Sequence, residues 1–385
     1  MLTNGTILQT TPEISQWGKL LTAAEGTLFN TSLREWQNET RGALGLETNS
    51  EIVVVGHQPM FFHPGILAKF VAASEFAKVC NAKLVHLVVD HHVGDVGTIE
   101  IPNLQDGVLQ IEKMRVAQCE DSTPLCDQNP LEITTNDARF VGALNNDEQN
   151  AAMQIAEATG TLMKPYAAID CKIAATDLCK TPIGEAVIDA MFVNKGACIA
   201  AYNEAVGAYP KSGVPFLAAN ELPVWGDDQK TIRPRALLLT LLARLGVGNL
   251  FVHGTGGAIY DRVMERWCQN WLGVDVCPQV MATATMTLPF EIETIASARH
   301  HYFSGDPKKK QSFLSNIDSL PRGSSARQVA YLEMHRMFAA LGVKPNHAAL
   351  MRSQQIARKR DWAFPLYGEA ELQKLTKDLS VPKLL

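Results

Sequence analysis

One stretch, residues 52–95, constrains this chain more than any other. Residues 52–55 form a β-branched apolar run, and Gly56 follows at once, the pattern of a strand buried on both faces that ends in a turn. The polar loop His57-Gln58-Pro59-Met60-Phe61-Phe62-His63 then leads to Pro64, whose fixed φ and missing N–H suit the first turn of a helix. Ile66, Phe70, Ala73, Ala77 and Cys80 recur at helical spacing as one apolar stripe, with Lys69, Glu75 and Lys78 facing elsewhere. A second strand is expected over 84–89. Strand, crossover helix and strand make a right-handed parallel unit, and in such sheets the ligand crevice lies beyond the carboxyl ends of the strands. His57 and Asp90 both fall at that edge.

The expected fold is therefore α/β: a Rossmann-like parallel sheet with helices on both faces and an additional helical region. Its 385 residues, 46% of them hydrophobic, are enough for a large core. Residues 1–50 read as a helical lead-in and 51–275 as a nucleotide-binding core with a helical insertion at about 117–209. Residues 276–385 read as mainly helical, with one β-like run at 280–288 and helices at 289–301, 325–341 and 346–360. The lysine-bearing segment 304–310 reads as a solvated loop.

Net charge is −5 and the lysines and arginines are dispersed, so the footprint of a nucleic-acid or anionic-membrane binder is missing and small-molecule chemistry is favoured. The start lacks a basic and an apolar signal region, and no apolar stretch approaches the roughly 20 residues that span a bilayer. A soluble cytoplasmic protein is expected. None of the eight cysteines falls in a CxxC pair, the pattern of reduced thiols, and they are given no role.

A second strand-turn-helix follows. Arg233-Pro234-Arg235 opens an apolar helix at 236–245, residues 249–252 form a short strand, and His253-Gly254-Thr255-Gly256-Gly257 turns into a helix near Ala258. Glycines before a helix start leave backbone N–H groups free for an anion. The segment is neither GxGxxG nor GxxxxGK[ST], so a tight turn without a ligand is an equal alternative.

The imidazoles His57 and His63 flank an aromatic pair, and Asp90, His91, His92 and Asp95 follow the next strand. Histidine can donate to phosphate, act as general acid or base, or ligate a metal. The phosphate reading gives Gly56, His57, Gln58 and His63 phosphate contacts, with Asp90 and His91 or His92 near the reacting group. Gly254, Thr255, Gly256 and Gly257 complete the anion pocket, Arg233 and Arg235 clamp a carboxylate or phosphate, and Tyr260 and Asp261 orient ribose or the acceptor. The ligand spacing matches no zinc rule, and no metal is assigned.

The segment VVVGHQPMFFHPGILAKFVAASEFAK, with Val89-Asp90-His91-His92 after the next strand, resembles the N-terminal nucleotide-binding unit of the cysteine-adding enzymes of bacillithiol biosynthesis. RPRALLLTLLARLGVGNLFVHGTGGAIYD looks like that family's arginine-led helix, strand and glycine turn, and is closer still to a group of uncharacterised bacterial proteins. Together these cover mainly 51–95 and 232–265. The resemblance implies a core related to nucleotidyltransferases and HIGH-motif synthetases, ATP or ADP as cofactor with or without Mg, and ligation of an amine or amino acid to a carboxylate. The family's long C-terminal coiled coil has no heptad counterpart here, and Val89 stands where the family has an acidic residue. Two other readings stay open. The triplet Asp90-His91-His92 resembles the signature of DHH phosphoesterases, although Asp90 lacks the aspartates on the first strand-loop that a binuclear site needs. A non-catalytic nucleotide-binding protein is the third.

Overall fold

Six strands carry the larger part of the computed structural model, which describes residues 6–144, 147–226, 231–294, 307–341 and 346–380. They are β1 (Ile7–Thr11), β2 (Ile52–His57), β3 (Lys83–Val88), β4 (Cys171–Ala174), β5 (Leu250–His253) and β6 (Gln279–Thr285), in the order β1-β6-β5-β2-β3-β4. β1 runs antiparallel to β6, with Ile7 opposite Thr285, and every other neighbouring pair is parallel. Counting only the parallel strands along the chain, the order is 3-2-1-4-5, that of a doubly wound Rossmann-like sheet. The strand order reverses between β2 and β5.

The sequence explains the centre of the sheet. Ile52, Val53, Val54 and Val55 are all fully buried, as a central strand covered on both faces demands. Ile52, Val54, Val85, Leu87 and Phe251 share one core with α1 (Leu33–Ala43), α4 (Pro182–Val193), α5 (Lys195–Ala208), α6 (Ala236–Gly246) and α7 (Thr255–Leu272). The opposite face is covered by α2 (Pro64–Cys80), where Phe70 meets His86 edge-on at 4.9 Å, and by α3 (Ala151–Met163). Arg41 of α1 ties the layers together: it donates to Val247 O at 2.7 Å and to Asn249 Oδ1 at 2.6 Å, and that same oxygen accepts from Ile52 N.

Three sequence expectations change here. The lead-in is not only helical, because β1 closes the edge of the sheet beside β6. Residues 117–209 are not an insertion of helices, since they contain β4, the third parallel strand. β4 lies at the sheet edge with only Ile173 of its four residues buried, so it never shows the apolar run that marks β2. β6 belongs to the sheet and not to a helical C-terminal region, and residues 361–380 also pack on this larger unit, where Phe364 N donates to Phe62 O at 2.8 Å.

The smaller unit comprises residues 100–113 and 287–360. It holds the end of a hairpin of strands Thr98–Gln105 and Val108–Arg115, turning at Asp106 (φ 49°) and Gly107 (φ 75°), the left-handed pair that a tight two-residue turn needs. Leu109 N donates to Ser353 Oγ at 2.9 Å, fixing the hairpin to the helix His347–Ile356, and the helices Pro307–Ser319 and Ser325–Leu341 pack on one another. Lysines 308–310 start the first of these helices and are not a loop. Residues 289–294 have no regular structure, and the rest of the helix expected at 289–301 lies outside the described residues. Among the described residues no helix is long and apolar enough to cross a membrane.

Candidate functional site: a donor-lined cavity at the strand-order reversal

β2 ends in Gly56 and His57, and the chain crosses the carboxyl edge of the sheet before α2 begins at Pro64. His63 caps α2, its Nδ1 accepting from Gly65 N at 3.0 Å. Gly65 has to be glycine, because a Cβ there would lie 2.8 Å from Ala284 O and 2.7 Å from the His63 ring. That close approach carries the imidazole over the sheet edge.

Between β2 and β5 a cavity of about 330 Å³ opens. Its wall includes Gly56, His57, Gln58, His63, Lys69 and His91 on one side, and His253, residues 254–257, Tyr260 and Thr283 on the other. Four imidazoles and one ammonium face it, and among the described residues no Asp or Glu lines it. α7 starts here with Gly254 as its cap in extended conformation and no side chain satisfying the first turn, so Thr255, Gly256 and Gly257 bring a helix N-terminus to the wall.

Lys69 is the main residue that helical spacing misplaced. It is 4% exposed, and its Nζ donates to Gly56 O. α2 is buried over nearly its whole circumference, so no polar side was left for a lysine, and Lys69 reaches into the cavity instead. Burial lowers its pKa to about 7. His57, edge-on to Phe62 at 5.2 Å, is held well below the usual imidazole value by burial first, then by Lys69 and the neighbouring His86, His63 and His92. It is therefore neutral at pH 7, with one N–H to give.

His253 was also passed over, although its place at the end of an apolar strand run was a signal. Its Nε2 meets Asp261 Oδ2 at 2.7 Å, and the same oxygen accepts from Arg244 Nη1 at 2.8 Å. Arg244 also donates to Glu265 Oε1 at 2.6 Å and to Cys277 O. Burial alone would raise the pKa of Asp261, but His253 and Arg244 outweigh it and hold the carboxyl below its ordinary value. Asp261, expected to orient ribose or acceptor, is thus fully buried and engaged by Arg244 and His253 of the protein itself. Tyr260 does line the cavity, its phenol pushed up to about 12 by burial.

A Cβ on Gly257 would sit 2.2 Å from His253 Nδ1. Gly257→Ala is expected to destabilise the fold by about 2 kcal/mol through overpacking and to displace the His253 ring, read by urea denaturation and by the histidine ring signals in NMR. An unchanged midpoint with unchanged ring signals would contradict this.

The acid-imidazole triplet is divided. Asp90 is 1% exposed, accepts from Thr176 N at 3.0 Å and Thr176 Oγ1, and faces a different cavity of about 720 Å³ lined also by Cys126, Lys172, Lys180 and Arg233. Its burial is outweighed by His91 and Thr176, which keep its pKa low. His91 faces the first cavity, His92 lines neither, and Asp95 caps a turn by accepting from Gly97 N at 2.9 Å. Neither arginine reaches the imidazoles: Arg233 pairs with Asp127, and Arg235 pairs with Glu221 and lies 4.3 Å above the Trp225 ring. After β3 the chain turns sharply, with Asp90 N bonded to Val88 O, and His91 Nδ1 lies 3.6 Å from Asp90 Oδ1 although the two residues line different cavities. Among the described residues no three His, Cys, Asp or Glu side chains converge as metal ligands.

No protein-family model matches the chain, and no curated protein matches it. Among solved structures it is similar to the tryptophanyl-tRNA synthetase of Plasmodium falciparum (11% identity, 86% of this chain and 81% of that one, TM-score 0.26). It is also similar to the tyrosyl-tRNA synthetase of Archaeoglobus fulgidus bound to L-tyrosine (11% identity, 95% and 96%, TM-score 0.29). Scores of this size carry no argument about function, and the fold class rests on the strand order itself.

Proposed function

We propose that this protein binds a nucleoside polyphosphate, ATP or ADP, in the cavity between β2 and β5, and uses ATP to activate a small carboxylate for joining to an amine or amino acid. The observation that carries the reading is a cavity at the point of strand-order reversal lined by four imidazoles, the Lys69 amine and a helix N-terminus, without a carboxylate among the described residues. Polyphosphate is the metabolite group that such a wall suits.

The residues divide the work. The Lys69 ammonium and the first-turn N–H groups of α7 meet phosphate oxygens, and neutral His57 gives an N–H without adding charge. His63 and His91 close the mouth, and Gln58 offers an amide to ribose or phosphate. A bound nucleotide would supply the leaving group for carboxylate activation. Magnesium, where present, would ride on the phosphates, since no carboxylate of the wall is placed to hold it. Asp90 lies 3.6 Å from His91 but lines another cavity, and among the described residues no third metal-ligating side chain joins them, so the metal-dependent phosphoesterase reading has no converging donor set to favour it. The amine component is proposed only as a class, because nothing in the wall selects a thiol.

Calorimetry with ATP, ADP and a non-hydrolysable ATP analogue, with and without magnesium, tests the reading on the native protein and on His57→Ala. Binding by the native protein is expected, with a loss of about tenfold or more in the variant. No heat from any nucleotide would end the proposal.

A further inference from the structure

We propose that a separate cavity of about 690 Å³ beside α7 binds a small anion with an apolar body, an aryl or branched acyl carboxylate. The assignment of this ligand as the acid to be activated rests on the nucleotide reading above, whereas the binding site itself does not. Thr255, Ala258, Ile259 and Arg262 recur at helical spacing on one face of α7 and look across the cavity to Val280 and Met281 of β6. The volume falls within the range of small-molecule sites, which are mostly apolar with a few polar groups.

Two observations select the ligand. Ile259 is 53% exposed, so the α7 face carries an apolar side chain that the described residues cover only in part. Arg262 and Lys211 both line the cavity, and among the described residues neither has an ion-pair partner and no Asp or Glu joins them there. Charge at the rim therefore favours an anion, and the body against Ile259, Val280 and Met281 is apolar. The cavity around Asp90 differs, because its cations are already matched: Lys172 with Glu157, Lys180 with Asp177 and Arg233 with Asp127. Thr255 belongs both to this wall and to the donor-lined cavity, so the two cavities adjoin at the start of α7.

Ligand-observed NMR with 4-phenylbutyrate and its primary amide, run beside ATP calorimetry, tests the site on native protein, Ile259→Glu and Arg262→Glu. The carboxylate is expected to bind about tenfold more tightly than the amide, and each variant is expected to weaken it by about tenfold while leaving the ATP heat unchanged. Both side chains are exposed, and a near-ultraviolet circular dichroism spectrum matching the native one confirms that each variant is folded. Equal binding of the two probes, no binding of either, or undiminished binding in folded Ile259→Glu would overturn the proposal. Probe binding without ATP heat would keep this site and remove the nucleotide reading, and ATP heat without probe binding would do the reverse.

Discussion

Arg244→Met is expected to lower the free energy of unfolding by about 3–5 kcal/mol, because removing one partner of a buried ion pair leaves an undercompensated charge. Arg244 is 1% exposed and Asp261 fully buried, and the guanidinium also satisfies Cys277 O and Glu265. Loss of Arg244 leaves the His253 ring still bonded to Asp261. The pH dependence has a definite sign. Asp261 has its folded pKa below the ordinary value, so its ionised form contributes stability above the unfolded carboxyl pKa of about 4, and that contribution is lost as pH falls through the folded value. Urea denaturation between pH 3 and 7 should show a shallower acid-side loss in the variant, and Asp261→Asn in the same background should recover part of the deficit. A single-variant effect under about 1 kcal/mol would show that the interior hydrates the carboxylate after all.

Lys69→Met is expected to do two opposite things: abolish measurable ATP binding and make the protein more stable. The ammonium is buried with the Gly56 carbonyl as its hydrogen-bond acceptor. Its pKa falls from 10.5 to about 7, so between those values the unfolded chain holds a proton that the folded chain has released. Stability of the native protein therefore rises with pH across that window, and below about pH 7 it carries the whole penalty of the buried charge. Methionine fills a similar volume without that penalty, and a gain of about 2 kcal/mol at pH 6 is expected after the lost hydrogen bond is discounted. The slope of stability against pH between 7 and 10 should flatten in the same variant. Reduced stability at pH 6 with ATP affinity intact would mean that Lys69 holds the sheet edge together and meets no ligand.

Much of the frame is legible in the chain because β2 and α2 obey one rule each: an all-apolar β-branched run for a central strand, and a proline start with a buried stripe for its crossover helix. The helix Ser325–Leu341 is legible from its local pattern as well. β4 and β1 are not. Both are edge strands with few buried positions, so their place is set by partners far along the chain and not by their own pattern. At the site, sequence groups the acid-imidazole triplet by adjacency, whereas a tight turn after β3 sends Asp90 to one cavity and His91 to another. Lys69 is hidden by the opposite failure. A charged residue in a helical pattern ordinarily marks the solvent side, and only the closing of both faces of α2 turns it inward. His253 and Asp261 are eight residues apart, and their pairing follows from α7 folding back beneath the strand that precedes it.

The pairing of β1 with β6 has a bearing on how the chain is made. Residues 7–11 leave the ribosome long before residues 279–285, their only neighbouring strand in the sheet. During synthesis the first strand therefore waits, unpaired, while the four central and far-edge strands assemble, and the loop it must close spans most of the protein. An amino-terminal fusion bulky enough to hinder the return of the first strand would leave β6 as a bare edge, exposed to pairing with another chain.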